Sequence, residues 1–138
     1  MESWIIYALL TMVGFAVTVL TFKKLSASGF SSGTINFYFF LLVALGIVIY
    51  NFATGSSFKA DYKFFLILLI AVVAGVFANI YNVKAIHASP NPGYASAIVA
   101  VNAILVAIIA VFLFHSKLTL IKMLGVVLAV IGVILISL

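Results

Sequence analysis

Hydroxyl and amide side chains recur at helical spacing inside stretches that are otherwise apolar. Tyr7, Thr11, Gly14, Thr18 and Thr21 follow one another at intervals of 4, 3, 4 and 3, which puts all five on one face of a helix. Ala71, Gly75, Asn79, Asn82 and Ile86 share a face in the same way. Asn102 stands near the middle of a third such stretch. Groups of this kind hydrogen-bond a solute. They do not attack or deprotonate one, because no serine or threonine has a recognisable base and orienting group beside it. An amide in an apolar setting must find a partner, and lipid offers none. The stripes are therefore expected to face a bundle interior or a cavity. Simpler explanations stay open. Threonines in membrane helices often bond their own i−4 carbonyls, and Asn102 could serve a neighbouring helix instead of a solute.

Other chemistry is missing. The only acids are Glu2 and Asp61, one at the N-terminus and one between apolar runs, so no run holds a carboxylate for a proton relay. His87 and His115 fall at predicted helix ends without clustered ligand partners, so no metal is expected. Cysteine is absent, which removes disulfides and thiolate sites. No phosphate-binding loop or dinucleotide fingerprint occurs, and no cofactor is expected. Passage of a solute is favoured over catalysis, and the chain is not expected to be an enzyme.

The elements that must carry these residues are membrane spans. The 138 residues are 67% hydrophobic and 7% charged, too apolar for a small soluble domain to hide. A bilayer supplies the missing environment. Five apolar runs stand out, roughly 3–22, 33–52, 64–86, 93–114 and 119–138. About 20 residues of helix rise about 30 Å, the thickness of the hydrocarbon core. Backbone groups in lipid must be satisfied within the segment, so helices are predicted; a β-barrel would need shorter alternating segments. The first run is too long for an ordinary signal-peptide core and no small-residue cleavage site follows it, so it is expected to be a permanent span. The fold class is an all-α integral membrane protein of five transmembrane helices in one domain over 1–138, multi-pass in the cell membrane.

The connections are short. In Ser89-Pro90-Asn91-Pro92, Pro90 ends one helix, Asn91 can cap the next and Pro92 suits its first turn. Residues 114–118 make a tight link between the last two helices. The fourth run carries Gly93, Ser96, Ala100, Ala103, Ala107 and Ala110, a small-residue seam suited to close backbone packing in lipid. The fifth carries Gly125, Ala129 and Gly132, a second such face. Lys84 lies near a helix end, where snorkelling to the interface is the default and an anionic contact of a solute the alternative.

The net charge of +5 comes from lysine alone. The lysines flank apolar runs, so lipid headgroups are the expected contact, not nucleic acid. With five spans, Lys23, Lys24 and Lys84 share one side, and Lys59, Lys63, Lys117 and Lys122 the other. Three against four barely sets an orientation. Such a chain could insert both ways and pair with itself head to tail; the alternative is a cytoplasmic N-terminus with a weak bias.

The stretch PNPGYASAIVAVNAILVAIIAVFLFHSKLTLIKMLGVVLAVIGVILISL, residues 90–138, resembles the EamA-type half of the drug/metabolite transporter superfamily. Phe114, Lys117, Leu118, Thr119, Gly125 and Gly132 fit that family's link and last helix. His115 and Ser116 depart from it, standing where the family usually has glycine and glutamate. The first half resembles it in span spacing. The resemblance implies one five-helix repeat where members usually have two inverted ones around a central cavity. It therefore implies an antiparallel homodimer, or a second five-helix half, with helices 1, 3 and 4 lining the cavity. The Gly125/Ala129/Gly132 helix also looks like the dimerising helix of small multidrug resistance proteins. Their membrane glutamate has no counterpart in the Tyr7, Thr11, Thr18 stripe, which speaks against that proton-coupled mechanism. The reading is a small transporter or exporter of a metabolite or other small neutral or zwitterionic solute, working by alternating access, with the solute contacted by Tyr7, Thr11, Thr18, Asn79, Asn82 and Asn102. Ala100, Ala103, Ala107, Gly125, Ala129 and Gly132 are assigned to helix packing or the dimer interface. Alternatives are a subunit needing a different partner chain and a lipid-carrier flippase.

Overall fold

The structure, a computed structural model, describes residues 3–59, 61–115 and 119–137. All its regular elements among the described residues are helices: α1 Ser3–Ala27, α2 Ser32–Thr54, α3 Tyr62–Ala88, α4 Pro92–Ala100, α5 Asn102–Phe114 and α6 Leu120–Ser137. Ile5–Ala27, Ser32–Thr54, Tyr62–Ala88 and Pro92–Phe114 are each long and apolar enough to cross a membrane. The chain is thus a multi-pass membrane protein. Met123–Ile136 is a shorter apolar stretch within α6.

Local chemistry sets the helix ends. Ser31 caps α2, its Oγ accepting from the Thr34 N–H at 3.1 Å. Gly55 closes the same helix at φ 68°, its N–H reaching the Asn51 and Phe52 carbonyls, a left-handed position that glycine adopts at little cost. Asp61 accepts from the Phe64 N–H at 2.8 Å at the start of α3. Asn91 caps α4 through the Gly93 N–H at 2.9 Å, with Pro92 in the first turn. α1 continues to Ala27 instead of ending near residue 22. Its two lysines extend the helix, since lysine is a good helix former and its stem can lie along apolar surface.

The run expected as one helix over 93–114 is interrupted. Val101 is a turn residue at φ −63° and ψ −16°. Its N–H bonds the Ile98 carbonyl at 3.2 Å, and the Ile104 N–H bonds the Val101 carbonyl at 2.9 Å. The ladder tightens there to i→i−3 spacing. The interruption falls between a β-branched residue and an asparagine, both weaker helix formers than alanine or leucine.

The chain divides into two compact units, Met1–Ala88 and Ser89–Leu138. In the first, α1 packs on α3, α2 on α3 and α1 on α2. Its buried residues are Phe22, Ser26, Ile35, Asn36, Val83 and Ile86, all near the α1–α2 turn and the C-terminal part of α3. Phe22 meets the Phe39 ring edge-on at 5.0 Å. In the second unit α4 packs on α6, and Ala95 is buried. Most other apolar side chains are exposed, meaning only that the chain itself does not cover them. In a bilayer such faces lose little, because acyl chains are as apolar as leucine.

Candidate functional site

The site is best built from α1. Thr11 Oγ1 donates to the Tyr7 carbonyl at 2.8 Å, Thr18 Oγ1 to the Gly14 carbonyl at 3.0 Å and Thr21 Oγ1 to the Val17 carbonyl at 2.9 Å. Each hydroxyl proton is held by the helix's own backbone, as threonine allows at i−4. The oxygen lone pairs remain as acceptors. Tyr7 is 67% exposed. Thr11 is exposed and Thr18 half-buried.

On α3, Asn79 Nδ2 donates to the Gly75 carbonyl at 2.8 Å, and Asn79 is half-buried. Asn82, one turn on, is half-buried as well. Asn36, one turn into α2, reaches across to this helix. Its Nδ2 donates to the Ser32 carbonyl at 2.8 Å and to the Asn79 carbonyl at 3.3 Å. Only 7% of Asn36 is exposed, and its Oδ1 has no hydrogen-bond partner. A buried acceptor left bare costs about 1–3 kcal/mol, so a cluster that retains one is unusual. Ser26, 5% exposed, likewise has a bare Oγ.

Lys23 closes this end of the unit. Its Nζ donates to the Ile86 carbonyl at 3.1 Å and to the His87 carbonyl at 2.9 Å. Those carbonyls belong to the last turn of α3, where the helix dipole favours a cation. Position alone predicts a headgroup contact for Lys23; the structure turns it onto its own bundle because α3 ends beside it. Lys84 lies 5.1 Å above the Tyr81 ring, and Tyr81 stacks at 4.6 Å on Phe77. This aromatic ladder supports an ammonium at the helix end.

The structure thus joins Asn79 to Asn36, and it seats the threonines on their own backbone. It places Asn102 in the second unit, exposed, at the start of α5 directly after the Val101 turn. No partner for its amide occurs among the described residues. In the predicted seam, Ala100 and Ala103 are exposed and Ala107 half-buried. Ser96 Oγ donates to the Pro92 carbonyl at 3.0 Å. A Cβ added at Gly125 or Gly132 would meet nothing within 4 Å, and Ala129 is exposed. The apolar hollow beside α3, lined by Phe65, Leu66, Leu68, Leu69 and Val72, holds none of the polar residues. Among the described residues no group of three histidine or acidic side chains could share a metal.

Two residues of this arrangement, Lys23 and Asn36, carry no signal of their own in the sequence. Lys23 looks like any flanking lysine. Asn36 is the one amide in its apolar run before Asn51, and a single amide defines no stripe. The predicted link residues Lys117 and Leu118, with Ser116, lie outside the described residues. His115 is described: it ends α5 at φ 50°, its N–H on the Ala110 carbonyl. That left-handed conformation explains why a glycine is usual there in the pattern this stretch resembles.

The sequence model described as the EamA-like transporter family matches residues 2–138. No curated protein and no solved structure matches the chain.

Proposed function

The chain belongs to the EamA-like transporter family, whose members transport and do not catalyse, and on that premise we propose that it is a transporter or exporter of a small neutral or zwitterionic solute, working by alternating access. The family match over residues 2–138 carries the transport part of this reading. The polar side chains supply its site: Tyr7, Thr11 and Thr18 on α1, Asn79 and Asn82 on α3, and Asn102 at the α4–α5 break. No described residue inside a span is acidic, so a solute with compensated charge suits these hydroxyls and amides better than a strong cation.

Five spans, with α6 as the last, form the repeat in this proposal, and two copies pair in opposite orientations. Support comes from two features. Added Cβ atoms at Gly125 and Gly132 would meet nothing within 4 Å among the described residues, and small-residue faces in lipid are packing faces. The lysine balance of three against four does not fix a single orientation.

A flux assay on the purified protein in liposomes tests the function. Protein-dependent release of loaded metabolites is expected, and it should drop at least tenfold in the Asn79→Ala/Asn102→Ala double variant. Equal flux in both proteins would remove these amides from the site. Tags on both termini test the pairing: each terminus should be found on both sides of the membrane, and a single population would exclude the antiparallel homodimer.

A further inference from the structure

We propose that the end of the first unit where α1 and α3 terminate is a gate of the transport cycle, with Lys23 as its latch. Two polar ties bracket an apolar plug at that end, and their release opens the three helices to water from one face of the membrane. The gate's part in transport rests on the reading above; the latched end does not.

The plug is short. Val83 and Ile86, 1% and 0% exposed, lie on α3 between Asn79 and His87, a stretch of roughly 12 Å by helix rise. Phe22 of α1 and Ile35 of α2 are buried at the same end. At the inner limit of the plug, Asn36 Nδ2 donates to the Asn79 carbonyl at 3.3 Å. At its outer limit, Lys23 Nζ donates to the Ile86 carbonyl at 3.1 Å and to the His87 carbonyl at 2.9 Å. No described residue of 3–17, 40–59 or 61–78 is buried, so the closure that this unit makes by itself is confined to one end.

Both ties are of a kind that can be given up. Each runs from a side chain of a neighbouring helix to a carbonyl of α3. The Asn79 carbonyl lies inside a continuous helix, whose own ladder serves it when Asn36 leaves. The Ile86 and His87 carbonyls belong to the last turn of α3, where water at the membrane surface can replace Lys23. Ser26 Oγ and Asn36 Oδ1 are buried without a hydrogen-bond partner while the end is shut, and water admitted by opening supplies both. Packing of the plug therefore favours the closed state, and hydration of these oxygens favours the open one. Opposed terms of this kind make a two-state element, which a solute shifts by binding one state better than the other.

The chain has no cysteine, so one introduced thiol reports one position. Val83→Cys, close to valine in volume, should react slowly with a polar maleimide in detergent, well below the melting temperature. Adding Lys23→Met should speed that reaction about tenfold, because charge-assisted bonds that hold the end shut are lost. Adding Lys23→Arg, which keeps the donors, or Lys24→Met should leave it slow. Ala95→Cys, buried in the second unit, should label at the same slow rate in every background, which separates opening of this end from unfolding of the chain. Equal Val83→Cys rates with and without Lys23→Met, or parallel acceleration at Ala95→Cys, overturn the latch. Efflux of alanine, glycine betaine and sorbitol from liposomes then tests the gate. Protein-dependent efflux should fall about fivefold or more in Lys23→Met and recover in Lys23→Arg. Equal efflux in the wild type and Lys23→Met overturns the gate and leaves a structural tie. No efflux from the wild type, alongside fast Val83→Cys labelling in Lys23→Met, counts against transport and leaves the latched end standing.

Discussion

Within each of the two units the helices are held by different means. In the first, side chains lock three helices at one end: Val83 is 1% exposed and Ile86 0%, Phe22 and Phe39 interlock, and Lys23 and Asn36 bridge to α3. In the second, α4 and α6 pack with Ala95 buried, the backbone breaks at Val101, and α5 ends on a left-handed histidine. The difference teaches where membrane helices get their order. With no hydrophobic drive between helices in lipid, interdigitated side chains and hydrogen bonds must supply it. The first unit has both. The second has glycines at 125 and 132 where an added Cβ would meet nothing within 4 Å among the described residues.

The largest effect expected is at Ile86. Ile86→Ala should destabilise the first unit by about 2–4 kcal/mol through the cavity it leaves, read by denaturant or thermal melting in detergent. The same truncation at Leu128, 67% exposed in the second unit, should change stability by less than about 1 kcal/mol. Equal losses would break the comparison. Lys23→Met should cost about 1–2 kcal/mol, because two charge-assisted hydrogen bonds to the end of α3 are lost. Lys24→Met next to it should stay within about 0.5 kcal/mol, and similar losses at both would show that the tie carries no energy. His115→Gly should stabilise the second unit by up to about 1 kcal/mol, since glycine accepts φ 50° without strain; a lower melting temperature would show that the His115 side chain matters more than its backbone. Smallest is Thr18→Val, within about 0.5 kcal/mol, since the lost hydroxyl bonds only its own helix. A larger loss would place that hydroxyl in an interhelical contact.

Much of the fold was legible in the residue pattern. The caps at Asn91 and Pro92 follow from residue type and short-range spacing, and so do the positions of the apolar runs. The interruption at Val101 was not legible, because a valine before an asparagine is compatible with either a continuous or a broken helix. The site was legible in part. Thr11 and Thr18 stand out by period, yet the sequence left open whether they serve a cavity or their own backbone, and the hydrogen bonds show the latter for their protons. Asn36 was not legible, since its meaning depends on a helix some 43 residues away.

Composition and period alone determined that this chain crosses a membrane as helices, because lipid acts on each segment locally: every backbone group must be satisfied within its own run, whatever the other runs do. Tertiary structure alone decided which lysine faces inward, which amide bridges two helices and which oxygen is left without a proton. Those outcomes depend on what ends up opposite each atom, and that is set only once distant segments have packed.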